Sequence, residues 1–574
     1  MNKRLNEIFK VALVVLALAV VLTACAPAAT PTSAPVPTKA PAATSAPTTA
    51  SSQPVAAATT APTVVPTKAS VPPTTVATEK PVDLELWAQP SVTEQGPPPA
   101  DWIAYKIVRE KLNINLKVVL TPTGADGEAK YNAAAAANSL PDIMQMVSAS
   151  QDNRGTMVRL QKLGLLGPVT TLLPLMPERV KTHYDDPQRM KMGQVGGVQY
   201  GLVEPPPIPK REGYVIRKDW LDKLGLKPPT TLDEMFEIAK AFTEKDPDGN
   251  GKNDTYGVGG FINGVGLGDR FDFIMGGYDV PGLWDLRDPG KIQLNVRDPN
   301  YPKALAFFNK LVTAKVIDPD WPTLKRDDFR AKWKQGKFGI MWEDFSALAS
   351  PSNYVTFDKN FPDGEFVALP APKGPDGKAW YRVDTSLSTI WAVSKKAIDA
   401  GKGPAIARFL EWTATKEGYY LLGFGEEGKQ YKFDKDGNIV FDGLDPKQVW
   451  TAPESQMYTQ LRNNLIFTNT PQELKVRYPA YTSVKGRTVD QVQFLKFFQS
   501  QPWVAGAHLQ VINPHPKAAD FNRYYNENII QFALGQKPLN DQTWADFLKG
   551  LDGIGAKDWE TNAKKDLTDA GFMK

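Results

Sequence analysis

Between Asp246 and Asp254 the chain sets oxygen-bearing side chains at every second position: Asp246, Asp248, Asn250 and Asp254, with Gly251 sixth in the run and Lys252 seventh. This is the spacing of a calcium-binding loop: side-chain oxygens at positions one, three, five and nine, a main-chain carbonyl at seven, and glycine at the sharpest turn. The twelfth position departs from it, because Gly257 stands where a bidentate glutamate would complete the coordination. A calcium ion held here needs a further ligand from elsewhere or from water, and its expected role is structural, clamping a helix end. The competing reading is an Asx-rich turn. Asp434-x-Asp436-Gly-Asn438 has a similar composition, and there the flanking alternation indicates a hairpin.

Little in the remaining inventory points to catalysis. The three histidines, His183, His508 and His515, are scattered and lack zinc spacing. There is no G-x-S-x-G elbow, and no pair among the many carboxylates is singled out for glycosidic work. Gly423-x-Gly425-x-x-Gly428-Lys429 meets part of two phosphate-binding patterns. However, Tyr419–Leu422 before it reads as helix, and Gln430 stands where Ser or Thr would hold magnesium. A glycine-rich helix exit is therefore expected.

The 14 tryptophans suggest binding instead. A sugar presents apolar C–H faces beside hydroxyls, so a saccharide cleft wants aromatic platforms flanked by planar hydrogen-bonding side chains. Candidates lie where strands or crossings would open onto a cleft. Trp87 and Gln89 end the first strand, Ser148 follows the third, and Trp342 precedes Glu343 and Asp344. Glu204 leads into three prolines, Arg217 opens the next block, and Trp284 sits in a loop. Each has a plainer reading: a core tryptophan, a solvated carboxylate, or for Arg217 an ion pair with Asp219 or Asp222.

The elements that must position these residues alternate. Asp83–Ala88, Ile114–Leu120 and Asp142–Val147 read as strands. Asp101–Leu112 and Gly127–Asn138 read as the helices between them, which argues a parallel α/β sheet with ligands beyond its strand ends. A second block opens near Tyr214, with a capping box at Thr231 and Glu234, helices over Lys303–Val312 and Asp327–Gln335, and a strand over Phe338–Trp342. Strand Ser388–Val393, the helix Pro404–Thr415 and a mostly helical tail from about Thr488 follow. Roughly 490 globular residues exceed one core, so two lobes are expected. Their bounds are read as about 82–205 with 388–470 for lobe 1, and about 206–387 with 471–574 for lobe 2.

The amino terminus is of another kind. Lys3, Arg4 and Lys10 precede an apolar run from Val11 to Leu22 that is shorter than a membrane span needs. It ends at Cys25, the sole cysteine, which excludes an internal disulfide. Leu22-Thr23-Ala24-Cys25 resembles the lipobox of bacterial lipoproteins, which implies a signal peptide over 1–24 and acylation of Cys25. From Ala26 to about Thr78 the chain is almost entirely Pro, Thr, Ala, Ser and Val, a composition that cannot form a core and reads as a stalk over 25–81. The formal net charge is +4, about half of it in the signal, so no case arises for nucleic acid.

Several segments resemble the extracellular solute-binding proteins of ABC importers, in the large family 1 subgroup with oligosaccharide- and alginate-binding members. They are Tyr214–Gly225 with Pro229–Phe236, Asp246–Gly257, Leu311–Pro319 and Phe424–Tyr431. The resemblance implies a hinged, two-lobe type II binding-protein fold, an oligosaccharide ligand closed between the lobes, a membrane permease as partner, a monomer and no catalysis. A stalk-anchored glycosidase and a non-transport sensor or adhesion module are the alternatives.

Overall fold

The structure is a computed structural model that describes residues 80–573 apart from 92–95, 148–152, 286, 289, 351–352, 386–387 and 466–469. Cys25, the signal, nearly all of the stalk and Ser148 lie outside the described residues.

Eleven strands set the frame: β1 (Val82–Ala88), β2 (Ile114–Leu120), β3 (Ile143–Gln145), β4 (Gly201–Val203), β5 (Glu212–Arg217), β6 (Tyr256–Gly259), β7 (Phe338–Asp344), β8 (Phe366–Ala368), β9 (Val383–Asp384), β10 (Ile390–Val393) and β11 (Val504–Ala505). The first sheet has the order β2-β1-β3-β10-β4. Alternation writes its edge strand, since Ile114, Leu116 and Val118 are buried while Asn115 and Lys117 are exposed. Val82 pairs with Ile114 and Ala88 with Leu120 in parallel register, which requires the crossover helix Ile103–Leu112. β10 runs antiparallel to both neighbours. The chain reaches it from the second sheet, and so enters from the end at which β3 leaves.

The second sheet has the order β8-β5-β7-β6. Its centre, β7, is buried along its whole length, as a strand covered on both faces must be. The helix Leu232–Glu244 packs beside it through Phe242, which lies against Gly339. That helix starts at the expected capping box, Thr231 and Glu234. The chain therefore leaves the first sheet after Val203 and returns before Ile390. Between these points, Val383–Asp384 pairs in parallel with Val504–Ala505. Helices Ala518–Ala533, Asp541–Ile554 and Ala556–Asp569 close the chain against Asn300–Thr313, with Tyr301 stacked on Trp544 at 5.9 Å.

Candidate functional site

A cavity of about 380 Å³ opens where the glycine-rich loop 259–268 meets the β9/β11 ribbon. Asn263, Asp272, Trp284, Tyr301, Arg382 and Thr385 line it. The glycines make the loop possible. Gly266 has φ +75°, and a Cβ there would lie 3.1 Å from the Tyr525 ring and 3.2 Å from the Tyr301 hydroxyl. At Gly268, with φ +70°, a Cβ would collide with the Asn263 backbone at 2.6 Å. Asp272 starts the short helix Asp272–Gly277 and accepts from the Gly282 N–H at 2.9 Å, which fixes the entry to the two-residue strand Trp284–Asp285, paired with Gln293–Leu294 where the sequence suggested a loop. Trp284 meets Trp559 edge to face at 4.8 Å.

Arg382 ties this cavity to a charged cluster at the ends of β5 and β7. Its Nη1 and Arg270 Nη2 both donate to Glu212, each at 3.3 Å, and Trp342 Nε1 donates to the same carboxylate at 3.1 Å. Burial opposes ionisation of Glu212. Even so, Arg270, the indole hydrogen bond, Arg382 and Arg326 hold its carboxyl below the usual range. Arg330 grips Glu343 through two bonds of 2.8 and 3.1 Å, and Arg211 grips Asp344 through bonds of 2.5 and 3.2 Å. An aromatic wall, an ionised cluster and a polar loop together can stack a sugar ring and exchange hydrogen bonds with its hydroxyls.

Of the residues singled out from sequence, Trp284 lies in this cavity. Gln89 follows β1 beside Gln145 of the neighbouring strand, whose Oε1 accepts its N–H at 2.8 Å. The others are committed elsewhere. Trp87 donates to Glu85 at 2.6 Å and is covered by Tyr131 at 5.5 Å and by Lys130, so it faces a helix. Trp342 is fully buried among Tyr214, Tyr381 and Trp503. Arg217 makes the ion pair with Asp219 that its sequence allowed, and its guanidinium lies over Trp220 at 4.4 Å. Glu204 is fully buried, with Arg179 Nη2 at 2.5 Å and the Tyr184 hydroxyl at 2.7 Å. Sequence reasoning passed over Asp272, Tyr301, Arg382 and Asn263. The run Gly264-x-Gly266-x-Gly268 was the available signal, because alternating glycines mark close backbone approach.

The acidic loop is crowded. Asp246, at φ +43°, accepts the N–H groups of Gly249, Asn250 and Gly251 at 3.0, 3.0 and 2.9 Å. The Asn250 amide joins Asp248 at 2.8 Å to Asp254 at 3.0 Å, and Lys337 reaches Asp254 at 2.6 Å. Burial, the hydrogen bond with Asp246 and the charges of Asp254 and Asp246 push the Asp248 carboxyl up. Among the described residues no three Asp, Glu, His or Cys side chains form a metal-holding group by themselves. The donor set is all oxygen once the Asn250 amide and the Lys252 carbonyl are included, which suits a hard cation. Like-charge crowding is also what such a cation would relieve. The second Asp-Gly-Asn run, Asp434 to Asn438, closes the hairpin between Lys432–Phe433 and Ile439–Val440.

A family described as bacterial extracellular solute-binding protein matches residues 96–420. The polygalacturonan/rhamnogalacturonan-binding protein YtcQ of Bacillus subtilis is 28% identical over 346 residues, which cover 59% of this chain and 65% of that one. Lipoprotein LipO of the same organism is 28% identical over 337 residues, covering 58% and 63%. The match thus spans just under two thirds of these relatives' lengths. The fold is that of a solved structure titled as the Streptococcus pneumoniae ABC-transporter substrate binding protein FusA, EF-hand mutant, in complex with fructo-nystose. Its TM-score is 0.58 at 18% identity, over 84% of this chain and 98% of that one.

Proposed function

This chain belongs to the bacterial extracellular solute-binding proteins, and on that premise we propose that it captures an oligosaccharide between two lobes and delivers it to an ABC-type permease. The reading makes it a binding protein without catalysis of its own. The observation that carries the saccharide reading is the cavity lined by Trp284, Tyr301, Asp272 and Arg382 beside the β9/β11 ribbon. Ligand contacts made only when the lobes close would favour the closed state, and the permease would read that shape. A relative named for polygalacturonan/rhamnogalacturonan binding supports the saccharide class. A thermal-shift screen against oligogalacturonides, rhamnogalacturonan fragments and fructooligosaccharides tests it. A true ligand at 100 times its Kd is expected to add about 2.7 kcal/mol. A melting temperature unmoved by every saccharide would sink the assignment.

Two further features belong to this reading. The loop Asp246–Asp254 holds a structural calcium ion through Asp246, Asp248, Asn250, the Lys252 carbonyl and Asp254; the crowded carboxylates and the EF-hand named in a protein of the same fold support it. Cys25 carries a lipid that tethers the lobes through the stalk to the outer face of the cell membrane, as its lipobox-like context and a lipoprotein relative suggest. Release of the Cys25→Ser protein from the membrane fraction is the expected result, and full retention would count against the anchor.

A further inference from the structure

On the other side of Trp284 lies a second cavity, of about 250 Å³, whose aromatic lining is three indoles: Trp284, Trp380 and Trp503. Trp380 and Trp503 are half-buried, so part of each ring remains accessible. Their polar edges are anchored, Trp380 Nε1 by Asp279 at 2.7 Å and Trp503 Nε1 by the Phe498 carbonyl at 2.8 Å. The rings are thereby oriented before any ligand arrives, which removes ordering cost from binding. Asp279 sits at φ +63°, a left-handed conformation that asparagine and aspartate tolerate best. Asp285 and Arg287 complete the polar wall as a bidentate pair at 2.8 and 2.7 Å.

We propose that this tryptophan-lined cavity is a second saccharide site, in which a sugar ring stacks on Trp380 and Trp503 and gives a hydroxyl hydrogen bond to Asp279. The proposal rests on the reading of the chain as an oligosaccharide receptor. The chemistry discriminates among occupants. Two carboxylates disfavour a phosphate or another anion. A purely apolar ligand would strip water from the Asp279 carboxylate, whose hydrogen bond is to the Trp380 indole. A neutral polyhydroxy ring meets both demands, with C–H faces for the indoles and a hydroxyl for Asp279. The ring would belong either to the far end of a saccharide already held in the first cavity or to a separate molecule.

Titration calorimetry of the whole chain with size-fractionated, neutral fructooligosaccharides of increasing length, in wild type and Trp380→Ala, separates these cases. If one chain spans both cavities, Trp380→Ala weakens the longest ligands about tenfold or more and leaves the shortest unchanged, as loss of a hot-spot aromatic would. If separate molecules bind, the stoichiometry falls from two to one. Either result supports the site. Unchanged affinity and stoichiometry at every length that wild type binds would overturn it while leaving the receptor reading intact. Binding of no saccharide by wild type would overturn both. Should Trp380→Ala lower the melting temperature, Asp279→Asn keeps the shape and the left-handed backbone, and is expected to weaken the same ligands.

Discussion

Two acidic places in this chain show opposite ways of compensating a carboxylate. Glu204, where the chain leaves the first sheet, is fully buried and faces a guanidinium of its own protein, with Arg179 Nη2 at 2.5 Å. Arg179 is just as enclosed and also donates to the Leu465 carbonyl at 3.0 Å. The loop Asp246–Asp254 gathers three carboxylates near the surface and answers them with Lys337 paired to Asp254, Lys252 close by, Lys223 on the Asp246 and Pro247 carbonyls, and backbone N–H groups. Inside the lobe the sequence supplies the counter-charge to Glu204 Oε1, while Oε2 is buried without a hydrogen-bond partner among the described residues. At the surface the carboxylates stay crowded, and a solute cation can relieve them.

The largest effect is expected where the counter-charge is internal. Arg179→Met leaves Glu204 buried and uncompensated, and breaking such a pair costs about 3–5 kcal/mol. Calorimetric unfolding should show this as a strongly lowered Tm, with Arg179→Met/Glu204→Leu recovering part of the loss. Burial pushes the Glu204 carboxyl up and Arg179 opposes it, so the single variant should take up a proton at that site. The comparison breaks if Arg179→Met folds with unchanged stability yet loses saccharide binding. In that event Glu204 is a ligand contact.

The surface loop should respond to metal and not to truncation of a neighbouring cation. Calcium at 100 times its Kd is expected to add about 2.7 kcal/mol, which a chelator removes and added calcium restores. Asp248→Ala should abolish that response while leaving the chelated protein nearly as stable as the wild type. A melting curve indifferent to chelator, calcium and substitution would reduce the loop to an Asx turn, and both acidic places would then be self-sufficient.

The frame of the fold was legible because local patterns agree with it. Alternation located β1 and β2 within a residue, and the Thr231/Glu234 box marked its helix start. The reversed direction of β10 was not legible, since it depends on where a crossing chain returns. Strand-end reasoning singled out Trp342 and Trp87 by position but could not give the direction of their side chains. Trp342 points into Tyr214 and Tyr381, and Trp87 into Tyr131. Trp284 reached a cavity because the turn before its short strand is pinned at Gly282 by a carboxylate from another element, Asp272. Arg382 joins it only through the parallel pairing of Val383 with Val504, 121 positions later in the chain. Contacts of that sequence separation leave no periodic trace.

The smallest effect concerns His183, which shares the Arg179 neighbourhood. The ring is buried, with Nδ1 against the Thr182 hydroxyl at 2.7 Å and no hydrogen-bond partner for Nε2 among the described residues. Burial, together with the charges of Arg179 and Arg189, pushes its pKa down to about 2. In the unfolded chain the imidazole takes up a proton near pH 6.5, while in the folded chain it stays neutral. Below pH 6.5 the unfolded state therefore binds the extra proton, and stability falls by at most about 1.4 kcal/mol per pH unit until the folded pKa is reached. His183→Gln should flatten the stability profile between roughly pH 6.5 and 5. The measurement belongs in chelator, because acid also protonates the Asp246–Asp254 carboxylates and releases any bound calcium. If the acid slope disappears on chelation alone and His183→Gln changes nothing, the pH sensitivity resides in the surface loop, and the buried site is inert to protons as well as to metal.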